Sequence, residues 1–204
     1  MHLLPTQEEV VAVLRETGAL RDGHFEYPTG LHSNEYLQVP LALRYYQHQR
    51  MLSVGVSRLL RANPEIRAIT SELSIVTPAT AGLPVAYGVC EASRARQVYW
   101  AEREHDDEPL RFRQYLAPQP GEPVLLVDDI LRSGSKLVEL KALLESYGAT
   151  VVGLAVIIYQ PTPKTHTFDG LPLYYLAKLD ATYYVDGKHC ELCQRGIPVE
   201  KVRV

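Results

Sequence analysis

The chain has 204 residues, of which 46% are apolar, with 21 basic and 24 acidic side chains and three cysteines. At this length folding buries roughly 70% of the surface exposed by the unfolded chain, so no disulfide or metal staple is needed, and a cysteine-stapled mini-protein is excluded. A formal net charge of −3 supplies no basic field for a phosphate backbone, no run approaches the ~20 apolar residues of a membrane span, and residues 1–5 lack the pattern of a signal peptide. The expectation is a cytoplasmic protein that binds neither nucleic acid nor membrane.

In chain order, Thr6-Gln7-Glu8-Glu9 reads as a capping box that opens a helix over residues 7–17, with Val10, Val11, Val13 and Leu14 as its apolar stripe and Gly18 as its stop. Two short alternating runs around Pro28-Thr29-Gly30 predict a hairpin within residues 22–39. Apolar spacing at Leu52, Val56, Leu59 and Leu60 predicts a helix over 47–60, ended by Asn63-Pro64. Short apolar runs then alternate with helical stretches, as in parallel βαβ units. Strands are expected at 66–69 or 73–76, then at 97–100, 124–127, 151–158 and 173–176, with helices at 83–92 and 135–147. The run Val124-Leu125-Leu126-Val127 is apolar at every position, as in a central strand covered on both faces.

That strand runs into Asp128-Asp129-Ile130-Leu131-Arg132-Ser133-Gly134-Ser135-Lys136. Ligands of open α/β sheets bind at the carboxyl ends of strands, and a helix N-terminus offers free amides to a phosphate. Two carboxylates followed by an anion cradle suit a sugar phosphate, and cations at the positive end of a helix are favourable only beside an anion. The bland alternative is that Asp128 and Asp129 cap the helix while Arg132 and Lys136 face water. The tail carries His189-Cys190-Glu191-Leu192-Cys193, a C-x2-C step. No second C-x2-C or H-x3-H pair completes a tetrahedral site, and Cys90 would have to be brought in by the fold, so no metal site is assigned.

The acidic pair and its loop resemble the phosphoribosyl pyrophosphate (PRPP) signature of type I phosphoribosyltransferases. Ser74 to Gly88 is similar to that family's strand and pyrophosphate loop, and Thr29 to Gln38 resembles the hood segment of its orotate-specific members. Trp100-Ala101-Glu102-Arg103-Glu104 resembles the start of the mobile loop in one bacterial branch, and Cys190 to Pro198 resembles that branch's tail. The resemblance implies an α/β fold with a mainly parallel five-stranded, Rossmann-like sheet flanked by helices. It implies one phosphoribosyltransferase domain over residues 1–204, with a small hood from residues 1–45 plus the tail and a core over about 64–180. The implied reaction is magnesium-dependent transfer of the 5-phosphoribosyl group from PRPP to a small-molecule base, orotate, by a homodimer.

Carried over by position, Asp128 and Asp129 hold the ribose hydroxyls, and Arg132, Ser133, Gly134, Ser135 and Lys136 hold the 5′-phosphate. Ala79, Thr80, Ala81 and Gly82 face pyrophosphate, while His32, Ser33 and Tyr36 border the base pocket with Gln160. The charged stretch 102–113 reads either as a solvated loop or as a lid whose Arg103 contacts pyrophosphate. Four departures stand out. The phosphate loop carries Arg132, Ser135 and Lys136 where Thr, Gly and Ser are usual, placing side chains where the backbone must approach the ligand. Ala81 replaces a glycine, and the lid lacks the usual lysines and histidine. Tyr159-Gln160-Pro161 stands where orotate enzymes place Asp-Arg, so a neutral amide replaces a forked cation, and Gln160→Arg is expected to improve orotate use. Two alternatives follow: another acceptor base, favoured by Gln160 and by Tyr159, Tyr174 and Tyr175, or a degenerate PRPP- or nucleotide-binding regulator.

Overall fold

A computed structural model describes residues 4–105, 107–114 and 116–202. Asp106, one acid of the charged stretch, and residues 1–3 lie outside the described residues. The elements in chain order are α1 (Gln7–Glu16), β1 (Leu20–Glu26), β2 (His32–Leu37), α2 (Pro40–Leu43), α3 (Tyr46–Ala62), α4 (Pro64–Ile69), β3 (Ser74–Pro78) and α5 (Leu83–Ser93). They continue with β4 (Gln97–Ala101), β5 (Pro123–Leu131), α6 (Ser135–Ser146), β6 (Thr150–Tyr159), β7 (Leu173–Lys178), β8 (Tyr183–Tyr184), α7 (Glu191–Gln194) and β9 (Glu200–Lys201).

The main sheet has five parallel strands in the order β4-β3-β5-β6-β7. Leu125 and Val127 of its central strand pack into a cluster with Val10, Leu14, Leu52, Val56, Leu60, Val85 and Val89, from α1, α3 and α5. Val124 and Leu126 meet Leu137, Leu140 and Leu144 of α6 on the opposite face. All four residues of the 124–127 run are fully buried, each contributing about 1.5–3 kcal/mol through loss of apolar surface from water. Two-sided covering of this strand is the reason the sequence shows no alternation there.

Side-chain caps fix the starts of α1 and α4. Thr6 Oγ1 accepts from the Glu9 amide at 3.2 Å, and the Glu9 carboxylate accepts from the Thr6 amide at 2.8 Å, so the capping box is formed. Of the two candidate strands near residue 70, the second is the strand, and residues 66–69 belong to a helix. Asn63 Oδ1 caps α4 by accepting from the amides of Glu65 and Ile66, and Pro64 at its first position has no amide hydrogen to waste.

A second sheet, ordered β8-β2-β1-β9, joins segments from opposite parts of the chain. β1 and β2 form the antiparallel hairpin, β8 adds antiparallel to β2 through His32↔Tyr184 and Ser33↔Tyr183, and β9 adds parallel to β1. No helix among the described residues is long and apolar enough to cross a membrane.

Candidate active site

Three loops meet at the carboxyl end of the parallel sheet. β5 continues through both acids to Leu131, so Asp128 and Asp129 are strand residues and not helix caps. Both are buried, at 9% and 5% exposure, and the Asp129 amide donates to Asp128 Oδ1 at 2.9 Å. Burial raises both carboxyls above the ordinary aspartate range, Asp128 strongly and with help from the neighbouring Asp129 charge. Lys136 and Arg132 lower them through space, yet neither forms an ion pair with the two acids among the described residues. Such a pair is poised to accept from hydroxyl donors or to face a hard cation, for which carboxylate oxygen is the fitting ligand.

The 79–82 loop follows β3, with the Ala79 amide donating to the Ala101 carbonyl at 2.8 Å and a cis peptide between Ala79 and Thr80. Gly82 closes it against the acids. A Cβ on Gly82 would lie 2.8 Å from Asp128 Oδ1 and collide with Thr77 Oγ1, so glycine is required by close approach. Ala81, which takes a usual glycine position, is exposed.

The 132–136 loop is tied down from behind. The Thr165 hydroxyl donates to the Arg132 carbonyl at 2.5 Å and the His166 amide donates to the Ser133 carbonyl at 2.8 Å. Gly134 has φ +81° and begins α6 without any side-chain cap, leaving the first amides of the helix available to an anion. Ser133, Ser135 and Lys136 are exposed around this turn.

Arg132 is placed otherwise than the sequence suggests. Its side chain leaves the phosphate turn and crosses to the hood, where Nε donates to Gln160 Oε1 at 3.0 Å and Nη2 donates to the Leu37 carbonyl at 3.5 Å. The cause is strand register: Leu131 pairs with Tyr159, so the next residues of β5 and β6 stand side by side where the strands end. The loop is thereby cleared of its bulkiest side chain. The Arg132 guanidinium also lies 5.8 Å from the centre of the Tyr27 ring, within cation–π reach.

Gln160 is 1% exposed, and its Oε1 accepts a second hydrogen bond from the Tyr183 hydroxyl at 3.0 Å. Because Arg132 Nε–H can only donate, the amide orientation is fixed, and Nε2 is left as a buried donor with no partner. Glu35 Oε2 is likewise buried and unpartnered, and burial raises its carboxyl. Tyr183 is pushed up to about 12 by burial, and Tyr27 is raised for the same reason, so both stay neutral hydroxyls at physiological pH. Tyr27, Arg132, Gln160 and Tyr183 thus form one polar cluster, whose Arg132 charge is felt by Asp129.

The other base-pocket candidates make contacts of their own. His32 turns into a buried contact, with Nδ1 2.8 Å from His24 Nε2. Ser33 is fully buried and accepts from the Glu35 amide at 3.1 Å within β2. Tyr36 stacks beneath the Arg21 guanidinium at 5.0 Å and beside Phe25. Both edges of β2 are paired by β1 and β8, and the side chains of His32 and Tyr36 meet residues of β1 and, at His32, Cys193 of the tail. Sequence reasoning missed Tyr27 and Tyr183, and nothing local marks them, because Tyr183 reaches Gln160 only through the β2–β8 pairing and Tyr27 joins through Tyr183 and Arg132. Of the strand tyrosines, Tyr174 accepts from Asn63 Nδ2 at 2.8 Å, and Tyr159 packs beside Tyr175 with ring centres 5.4 Å apart.

Residues 102 and 111 form an antiparallel bridge that closes the charged stretch into a hairpin-like loop. Arg103 is held there by an ion pair to Glu139 of α6 and by donation to the Glu108 carbonyl, while Glu139 Oε1 accepts from the Leu110 amide at 2.6 Å. In this arrangement the structure does not bring Arg103 to the acids.

Residues 46–167 match the model of the phosphoribosyl transferase domain. The chain is 33% identical over 189 residues to the orotate phosphoribosyltransferase of Thermotoga maritima, covering 93% of this chain and 94% of that one. It is 28% identical to the orotate phosphoribosyltransferase of Desulforamulus reducens, covering 96% and 95%. The crystal structure of orotate phosphoribosyltransferase from Aeropyrum pernix shares the fold, with a TM-score of 0.65, 21% identity and coverage of 83% and 93%.

Proposed function

Because this chain belongs to the phosphoribosyltransferase family, we propose that it is an orotate phosphoribosyltransferase, converting PRPP and orotate to orotidine 5′-monophosphate and pyrophosphate in pyrimidine biosynthesis. The observation that carries the choice of acceptor is the Arg132–Gln160–Tyr183 cluster, which supplies a guanidinium and an unpartnered amide donor beside the acidic pair. An anionic, carbonyl-rich base satisfies both.

In this reading Asp128 and Asp129 accept from the ribose hydroxyls, and the amides of Gly134 to Lys136 with the Ser133 and Ser135 hydroxyls hold the 5′-phosphate. The 79–82 loop lies against the departing pyrophosphate, with Gly82 keeping it next to Asp128. Positive charge develops on the sugar as the leaving group departs, and the two carboxylates on its ring side are oriented to stabilise it. Magnesium bound with PRPP would supply neutralisation of the pyrophosphate charge, and the carboxylate oxygens of Asp128 and Asp129 would be suited to hold that hard cation. Arg132 and Gln160 Nε2 orient the base so that its ring nitrogen faces the anomeric carbon, and the hood excludes water from the reacting centre. Arg103 joins the pyrophosphate once the 102–113 loop releases it from Glu139. Action as a homodimer in the cytoplasm belongs to the same proposal.

Phosphorus NMR of the protein with magnesium, PRPP and orotate tests the reading. A new monophosphate ester together with free pyrophosphate, at a rate proportional to protein, is the expected result. Donor binding without either product overturns orotate transfer in favour of another acceptor or a non-catalytic sensor.

A further inference from the structure

The tail folds back on the hairpin at a point where no catalytic group lies. From Lys178 to Val202 a single residue, Cys190, is buried, and between Arg21 and Tyr36 Phe25 is the only buried apolar side chain. Apolar burial therefore does not hold these two segments together. Besides the short strand pairings of β8 and β9, what they share is a cluster of four side chains: His24 from β1, His32 from β2, Cys190 at the start of α7 and Cys193 within it, with one nitrogen or sulfur from each lying within 4.8 Å of all the others.

We propose that these residues form a structural zinc site of the Cys2His2 type. Cys190 Sγ lies 3.5 Å from His24 Nε2, and Cys193 Sγ lies 3.6 Å from both His24 Nε2 and His32 Nδ1. Zinc bond lengths at tetrahedral angles require sulfur–nitrogen edges of about 3.5–3.6 Å, so these three contacts already have the spacing of a filled site. The nitrogen–nitrogen edge, 2.8 Å here, opens by about half an ångström when the ion enters. His24 is oriented from behind: its Nδ1 lies 2.7 Å from the Ile197 carbonyl, which accepts only from a protonated Nδ1 and so leaves the Nε2 lone pair aimed at the cluster. Two thiolates and two imidazoles are the donor set that selects zinc among divalent ions. The second pair of ligands missing from the tail is supplied by the hairpin, and the neighbouring His189 is not a ligand, since it pairs with Asp186 at 2.7 Å.

Metal analysis of the full chain, purified without chelator, together with cobalt titration of the chelated protein, tests the site without reference to phosphoribosyl transfer. One zinc per chain is expected, and cobalt should give the intense visible bands of a tetrahedral site with near-ultraviolet thiolate charge transfer. Cys193→Ser, at the more exposed of the two thiols, should lose cobalt affinity about tenfold or more, while Cys90→Ser and His189→Ala should titrate like the parent. Absence of zinc with no cobalt bands overturns the proposal, as does iron in place of zinc or an unchanged spectrum in Cys193→Ser.

Discussion

Gln160 Oε1 accepts from Arg132 Nε at 3.0 Å, so the cation absent from the end of β6 is provided by the end of β5, one strand away. The guanidinium and amide together occupy the place where a single arginine was expected. This reverses the expectation for Gln160→Arg: a second guanidinium would be buried against the first and would remove the acceptor that orients it. Orotate kcat/KM should fall in Gln160→Arg. Arg132→Ala should lower it by about 10- to 100-fold, the scale of a lost charged hydrogen bond, with the PRPP KM changed much less. Steady-state kinetics with each substrate varied decides the matter, and a loss confined to PRPP would return Arg132 to the phosphate turn.

The acidic pair is held at a cost to stability. Its folded-state carboxyls titrate above their ordinary values, so the folded chain binds protons more tightly than the unfolded chain, and stability falls as pH rises through the raised range. Asp128→Asn removes that penalty. Its melting temperature should exceed that of the parent at neutral pH, by about 2–4 °C for each 1 kcal/mol relieved, and the gap should close toward about pH 4. PRPP binding by calorimetry should be lost in the same variant. A lower melting temperature at neutral pH would show that Asp128 is stabilising as a carboxylate.

Gly82→Ala tests the contact between the pyrophosphate loop and the acids. The added methyl must displace Thr77 or Asp128, costing about 1–3 kcal/mol of stability and most of kcat. Melting and kinetics measured together check this, and a variant with parental kcat would remove Gly82 from the machinery.

The 102–113 loop is latched to α6 through Glu139, which binds both Arg103 and the Leu110 amide. Glu139→Gln weakens the ion pair while keeping the shape of the side chain. Trypsin should then cut after Arg111 and Arg113 several-fold faster, because cleavage reports local opening. Added PRPP should slow that cleavage if Arg103 transfers to pyrophosphate, and an unchanged rate with PRPP would place Arg103 outside the reaction.

Much of the parallel core was legible because its signals are local. An apolar run such as Val124 to Val127, a capping box at Thr6 and Glu9, and an acid pair before a glycine turn are each complete within about ten residues. At residues 66–69 an apolar pair was ambiguous between strand and helix, and the Asn63 cap with Pro64 decided it. The acceptor half was much less legible. The direction of the Arg132 side chain depends on the register of β5 against β6, which no local pattern states. The neighbours of His32, Cys190 and Cys193, lie about 160 residues away in the chain.

The sheet that places Tyr183 beside Gln160 draws strands from both before and after the parallel core. During synthesis the acidic pair and the glycine turn, both complete by residue 136, are made while β8, α7 and β9 are still unmade. The second sheet therefore closes only after β8 and β9 have been added, so the contact between Tyr183 and Gln160 is among the last this protein makes as it is born.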